Sequence, residues 1–257
     1  MKKLNTIAIS NNNEKCQILS NSGVDQIMID CESIGKLDRQ KGKNAVFNSH
    51  NINDILNIQR SKIRSKFICR INPYNKFTFK EIDQVVECNY DYIMLPMINN
   101  LENYFKIIKY IDKRIKVIPL IETSFSLIFL NYILHEDIDQ VHFGLNDLSI
   151  SFGTKNIFQI LLSKIFINAI KESKKKCKIV GIGGIGLPEN NNDKINPLDL
   201  IFEYKRIGSN SVILSRSFFI EGYNSSKIKY SINKLNRVEY SKENYISKKL
   251  LNQINDF

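Results

Sequence analysis

Two acids stand out for the chemistry their spacing permits. Glu122 closes the apolar run VIPLIE and Asp147 closes FGLND, 25 residues further on. If both runs are neighbouring parallel strands, about 4.8 Å apart, the carboxylates reach one point. Two ionised acids brought together out of water repel each other and lose hydration worth several kcal/mol per ion unless a positive charge intervenes. A hard divalent cation answers that need. Mg2+ takes one or two carboxylates and leaves its other positions to water and substrate oxygens, and Mn2+ accepts the same ligands. The bland alternative pairs each acid with a nearby Lys or Arg. Arg70 ends FICR just before Asn72 and Pro73. A guanidinium there binds a carboxylate or steadies an enolate oxygen while staying charged at every working pH. In the turn GLND the amides of Leu145, Asn146 and Asp147 can receive a substrate carboxylate, and Gly144 leaves room for close approach.

Such residues need strand ends to hold them, and the chain supplies eight candidates. Short apolar, β-branched runs occupy 6–10, 26–30, 67–72, 92–96, 116–122, 140–146, 178–184 and 211–215. Between them helical spacing covers 81–88, 101–111, 125–134, 156–173 and 197–207. Strand and helix alternating eight times predict an α/β fold, the (β/α)8 barrel, over residues 1–224. A lysine-rich helical segment at 225–257 then caps the barrel or packs on a neighbouring subunit. The rival doubly wound sheet places a Gly-rich phosphate turn after its first strand. Here the first strand runs into SNNNEK, and GIGGIG, at 181–186, follows the seventh strand and runs into LPENNND, where it suits a tight turn or close backbone approach to a ligand. In a parallel barrel both faces of every strand are buried, so the polar residues at carboxyl ends carry the information. These are Asp30, Glu32, Arg70, Asn72, Glu122, Asp147, Ser215 and Arg216.

Composition removes several function classes. The chain has 257 residues, 43% hydrophobic and 25% charged, which is globular composition. No apolar run approaches the roughly 18 residues of a membrane span. MKKLNTIAISNNNEK has no secretory core, so a cytoplasmic location is expected. Five cysteines without a CxxC pair read as reduced thiols. The net charge of +11 is spread along the chain rather than clustered, which argues against a nucleic-acid partner.

The succession IDCES, RINP, IMLPM, PLIETS, FGLNDLSISFG and GIGGIG, in this order, resembles the HpcH/HpaI aldolase and citrate lyase family over roughly residues 6–218. The resemblance implies a barrel that binds Mg2+ or Mn2+ and makes or breaks a carbon-carbon bond next to a 2-oxo acid or an acyl-thioester. It places the metal carboxylates at Glu122 and Asp147, the enolate-stabilising arginine at Arg70 and the carboxylate-binding amides on the GLND turn. It also implies a homo-oligomer and a small-molecule 2-oxo acid substrate. The 2-oxo acid aldolases carry a histidine directly after Asp-x-Glu; here that position is Ser33. His50, in the following loop over the barrel mouth, is the substitute candidate for proton transfer, the alternative being a surface residue at a helix start. Glu32, Lys36, Arg39 and Arg216 are candidate substrate contacts around the same mouth. His142, inside the sixth strand, is expected on the side opposite to Asp147, and His135 is expected to be structural. The expected function is a metal-dependent aldolase acting on a pyruvate-type enolate and an aldehyde, with surface-polysaccharide metabolism suggested by resemblance alone. An acyl-CoA lyase and a catalytically silent barrel that binds a sugar acid stand as alternatives.

Overall fold

Eight parallel strands close on themselves in the order β1 to β8, with β1 (Asn5–Ile9) hydrogen-bonded to both β2 (Gln26–Asp30) and β8 (Ser211–Leu214). The others are β3 (Lys66–Arg70), β4 (Tyr92–Leu95), β5 (Lys116–Ile121), β6 (Gln140–Phe143) and β7 (Ile179–Ile185). This is the (β/α)8 barrel expected from the sequence. It is seen in a computed structural model that describes residues 3–35, 58, 63–135, 137–190, 195–239 and 248–255.

Side-chain alternation along each strand divides the apolar residues into two sets. Ile7, Met28, Ile68, Met94, Ile118 and Leu120 pack together inside the barrel. Their strand neighbours, such as Ala8, Ile29, Phe67, Ile121 and Phe143, join the layer shared with the helices. Two residues beyond Met28, Ile68 and Leu120 come Asp30, Arg70 and Glu122, so the period of two in strand side chains turns these three toward the barrel axis at its carboxyl end. At the amino end a satisfied polar layer closes the barrel. Gln26 and Gln140 exchange side-chain amide hydrogen bonds of 2.9 Å, and the Asn5 amide donates to Gln26 and Ser211.

The abundant asparagines find a use at helix starts, where their side-chain oxygens accept orphan backbone N–H groups. Asn12 caps α1 (Asn13–Asn21), and Asn100 caps α3 (Leu101–Ile111), which follows α2 (Thr78–Glu87). Two helices expected as single runs are broken. The 125–134 stretch forms α4 (Ser124–Ile128) and α5 (Leu130–Ile133), because Thr123 and Ser126 form a capping box one residue early and Phe129 leaves helical geometry. The 156–173 stretch splits at Ser163 into a 3-10 turn, Gln159–Leu162, and a helix, Lys164–Lys176. Between β6 and that turn lies α6 (Leu145–Ser151), and the helix Lys164–Lys176 is therefore α7. The remaining helices are α8 (Pro197–Ile207), α9 (Ser225–Arg237) and α10 (Lys248–Asn255). Helix α10 buries Leu250 and Ile254 on the barrel's own outer layer, and the Ile254 carbonyl accepts from Asn156.

GIGGIG does not follow β7 as a turn. Most of it lies within the strand, with a register irregularity between Gly181 and Gly184. The glycines make room for neighbours: a Cβ on Gly181 would stand 2.1 Å from the His142 ring, and Gly183, at φ +43°, abuts Leu145 and Tyr204.

Candidate active site at the carboxyl end of the barrel

Arg70 anchors the site. Its Nε and one terminal nitrogen donate to the two oxygens of Asp30 at 2.8 Å each, while another terminal nitrogen lies 3.4 Å from Glu32. The pairing follows from the fold, because Asp30 and Arg70 are register partners on β2 and β3. Asp30 and Glu32 are buried. Burial works against the guanidinium's charge, yet the two carboxylates outweigh it and hold the proton on Arg70 more firmly than in water. A bidentate pair also fixes the plane of the guanidinium.

Glu122 stands just past β5 and is 3% exposed. Burial pushes its carboxyl up to about 8; the negative charges of Glu32 and Asp147 add to the shift, while Arg70 and the Met97 amide oppose it. The Met97 N–H donates to Oε1 at 2.9 Å. It does so from a left-handed conformation, φ +49°, that is rare for a non-glycine residue. On the other side Gly144 approaches so closely that a Cβ there would stand 3.0 Å from Oε2.

Asp147 does not terminate the sixth strand as the sequence suggests. β6 stops at Phe143, and Asp147 lies in the first turn of α6, where acidic residues suit the positive end of the helix. The Leu145, Asn146 and Asp147 amides belong to the same turn, which Gly144 leaves without a side-chain cap. The Leu145 side chain itself is core, packed under Gly183.

The expectation for His142 is overturned for the same reason: with Asp147 in a helix, strand alternation no longer relates the two. His142 pairs in register with inward-facing Leu120 and points into the barrel, one layer below Glu122. It is fully buried, with neither ring nitrogen in hydrogen-bond geometry among the described residues, although the Gly183 backbone lies beside it. Burial lowers its pKa to about 4, against the raising effect of the Gly183 backbone and with a smaller lowering from the charge of Arg70.

Ser33 is not poised as a base. Its N–H and hydroxyl both donate to Asn72 Oδ1, which also receives the Ile34 N–H, while Asn72 itself donates twice to Glu81 on α2. His135 shares a ring contact with Tyr104, away from the site. Arg216 opens a 3-10 turn after β8 and is exposed. His50, Lys36 and Arg39 lie outside the described residues.

Thus Arg70, Glu32, Glu122, Gly144 and Asp147 are brought together, with Asp30 behind them. The donor set is oxygen: Asp30, Glu32 and Glu122 act on the Arg70 guanidinium, and Glu32 and Asp147 crowd Glu122 with negative charge, a crowding that a hard divalent cation would relieve. Among the described residues no three His, Cys, Asp or Glu side chains group at metal-binding spacing. A cation at Glu122 and Asp147 would therefore take its remaining ligands from water or substrate, as Mg2+ commonly does. Sequence reasoning missed the Met97 amide, since a left-handed backbone at a methionine leaves no mark in residue type.

No individual curated protein matches the chain. The family description HpcH/HpaI aldolase/citrate lyase matches residues 8–195, which spans β1 through the connection after β7 and includes every residue of the cluster. The chain belongs to the HpcH/HpaI aldolase/citrate lyase family.

Proposed function

We propose that the protein is a divalent-metal-dependent carbon-carbon lyase or aldolase acting on a 2-oxo acid through its enolate. Family membership suggests aldolase or lyase activity in general. The finer reading is carried by one observation, the meeting of a buried, negatively crowded Glu122 with Asp147 beside an arginine locked onto Asp30. Bound Mg2+ or Mn2+ would polarise the carbonyl and carboxylate oxygens of the 2-oxo acid as a Lewis acid. Glu122 and Asp147 would hold that ion. Arg70 presents its positive charge toward the developing enolate oxygen, with Asp30 and Glu32 preventing its rotation. The first-turn amides of α6, beginning at Gly144, Leu145 and Asn146, would orient the substrate carboxylate.

Proton transfer needs a group other than Ser33, whose hydroxyl is committed to Asn72. His50 is assigned that part in this reading, with Lys36, Arg39 and Arg216 around the mouth. A catalytically silent barrel is the second reading, favoured by that same commitment of Ser33. The protein is further taken to work as a cytoplasmic homo-oligomer on small molecules; among the described residues no helix is long and apolar enough to cross a membrane.

Exchange of the pyruvate methyl protons with D2O, followed by NMR, tests the proposal. Exchange should depend on added Mg2+ or Mn2+, stop with a chelator and fall at least 100-fold in Glu122→Gln. Exchange indifferent to both treatments, or none in the wild type with any small 2-oxo acid, would remove the aldolase reading.

A further inference from the structure

A cavity of about 300 Å3 opens at the rim between the loop after β3 and the start of α3. That is room for roughly ten water molecules. Leu95 and Ile107 form buried apolar walls, Tyr74 stands at one side, and Asn99 and Asn103 supply amides. We infer that this cavity seats the second substrate, an uncharged aldehyde bearing hydroxyl groups, with Met97 joining it to the metal carboxylate; this rests on the aldolase reading above.

Met97 carries the connection. Its amide donates to Glu122, the residue also lines the cavity, and its backbone is left-handed at φ +49°. Strain of this kind persists where the surroundings impose it. A ligand touching Met97 is therefore one residue away from the carboxylate beside which the enolate would form.

The lining selects the chemistry. The oxygen of Asn100 is consumed in capping α3, and that of Asn72 is consumed by Ser33 and Ile34. Among the described residues the side chains of Asn99 and Asn103 are left to meet a ligand. Each carboxamide both donates and accepts, as a hydroxyl group does. A neutral amide offers no charge to offset the dehydration of a phosphate or carboxylate, whereas a hydroxylated carbon chain matches amides on one side and apolar walls on the other.

The bond-forming step is balanced. The enolate carbon attacks the aldehyde carbon, the carbonyl pair moves onto oxygen, and that alkoxide takes up one proton, equal to the one removed when the enolate formed. No oxidant or reductant is required.

The test measures two rates on the same metal-loaded protein: pyruvate proton exchange, which needs no acceptor, and aldol addition. Glyceraldehyde should be used with kcat/KM at least tenfold above glyoxylate and glyceraldehyde 3-phosphate. In Asn103→Leu, and separately in Asn99→Leu, the ratio of glyceraldehyde addition to exchange should fall at least tenfold, with a smaller fall for unhydroxylated propanal. Preference for the anionic aldehydes, or an unchanged ratio in both variants, overturns the acceptor assignment alone. No exchange in the wild type overturns the aldolase reading and the assignment together.

Discussion

Gly144 lacks a side chain, and Glu122 occupies the space this leaves. A Cβ at Gly144 would meet both the Cβ and Oε2 of Glu122 at 3.0 Å. The backbone at Gly144, φ −87° and ψ 97°, is open to alanine, so the constraint is space and not conformation. Gly144→Ala should therefore fold, at a cost of about 1–3 kcal/mol for the crowding, while turning the Glu122 carboxylate away from its resting position. Displacing a ligand's support commonly lowers metal affinity about 10- to 100-fold. Titration of Gly144→Ala with Mn2+, followed by electron paramagnetic resonance, should show a loss in that range. Wild-type affinity would mean that Glu122 Oε2 takes no part in holding the ion. Gly144 was legible in the sequence as a place of close approach, but the group that approaches it was not, because residue type gives no rotamer for Glu122.

Among the elements, β7 shows what strand-level reasoning captured and what it lost. Its position and parallel pairing follow from the apolar run KIV, yet GIGGIG reads equally as a tight turn or as a place of close approach to a ligand, because consecutive glycines are ordinary turn residues. The deciding contact comes from β6: Gly181 is register partner to His142, whose ring fills the volume a side chain would need. Backbone spacing in the sheet leaves no slack at 2.1 Å, so Gly181→Ala must displace the ring or the strand. Thermal denaturation should show Gly181→Ala destabilised by about 1–3 kcal/mol. Most of that cost should disappear in a His142→Ala background, where the ring is gone. Additive costs in the double variant would place the strain elsewhere in β7. The other departures from the expected elements, the breaks at Phe129 and Ser163, have a local cause instead. Helical periodicity persists through both breaks, and only the local hydroxyl and backbone hydrogen bonds decide that the run is interrupted.

For the molecule as a whole, the barrel places two buried titratable groups one layer apart with opposite effects on stability against pH. The alternation that predicted the barrel also fixes this stacking, but the degree of burial that shifts each group emerges only from closure of all eight strands. His142 has its folded pKa lowered from 6.5 to about 4, mainly by burial, with Arg70 across the barrel acting in the same direction. Unfolding then takes up a proton between these values, so stability falls as pH drops from about 6.5 to about 4, by roughly 3 kcal/mol at one unit per 1.4 kcal/mol. Glu122 has its folded pKa raised from 4.5 to about 8, so unfolding releases a proton and the metal-free protein loses stability as pH rises through that interval. Urea unfolding of chelator-treated protein should therefore show a stability plateau between about pH 4.5 and 6.5, where the two slopes cancel, and an alkaline limb from about 6.5 to 8. His142→Gln should remove the rise with pH, so that stability falls from about pH 4.5 upward. Glu122→Gln, or saturation with Mn2+, should remove the alkaline limb, leaving a rise up to about pH 6.5, because a bound cation favours the ionised carboxylate that burial otherwise penalises. An alkaline limb that survives both treatments would show that the crowding of negative charge around Glu122 is not what the metal relieves.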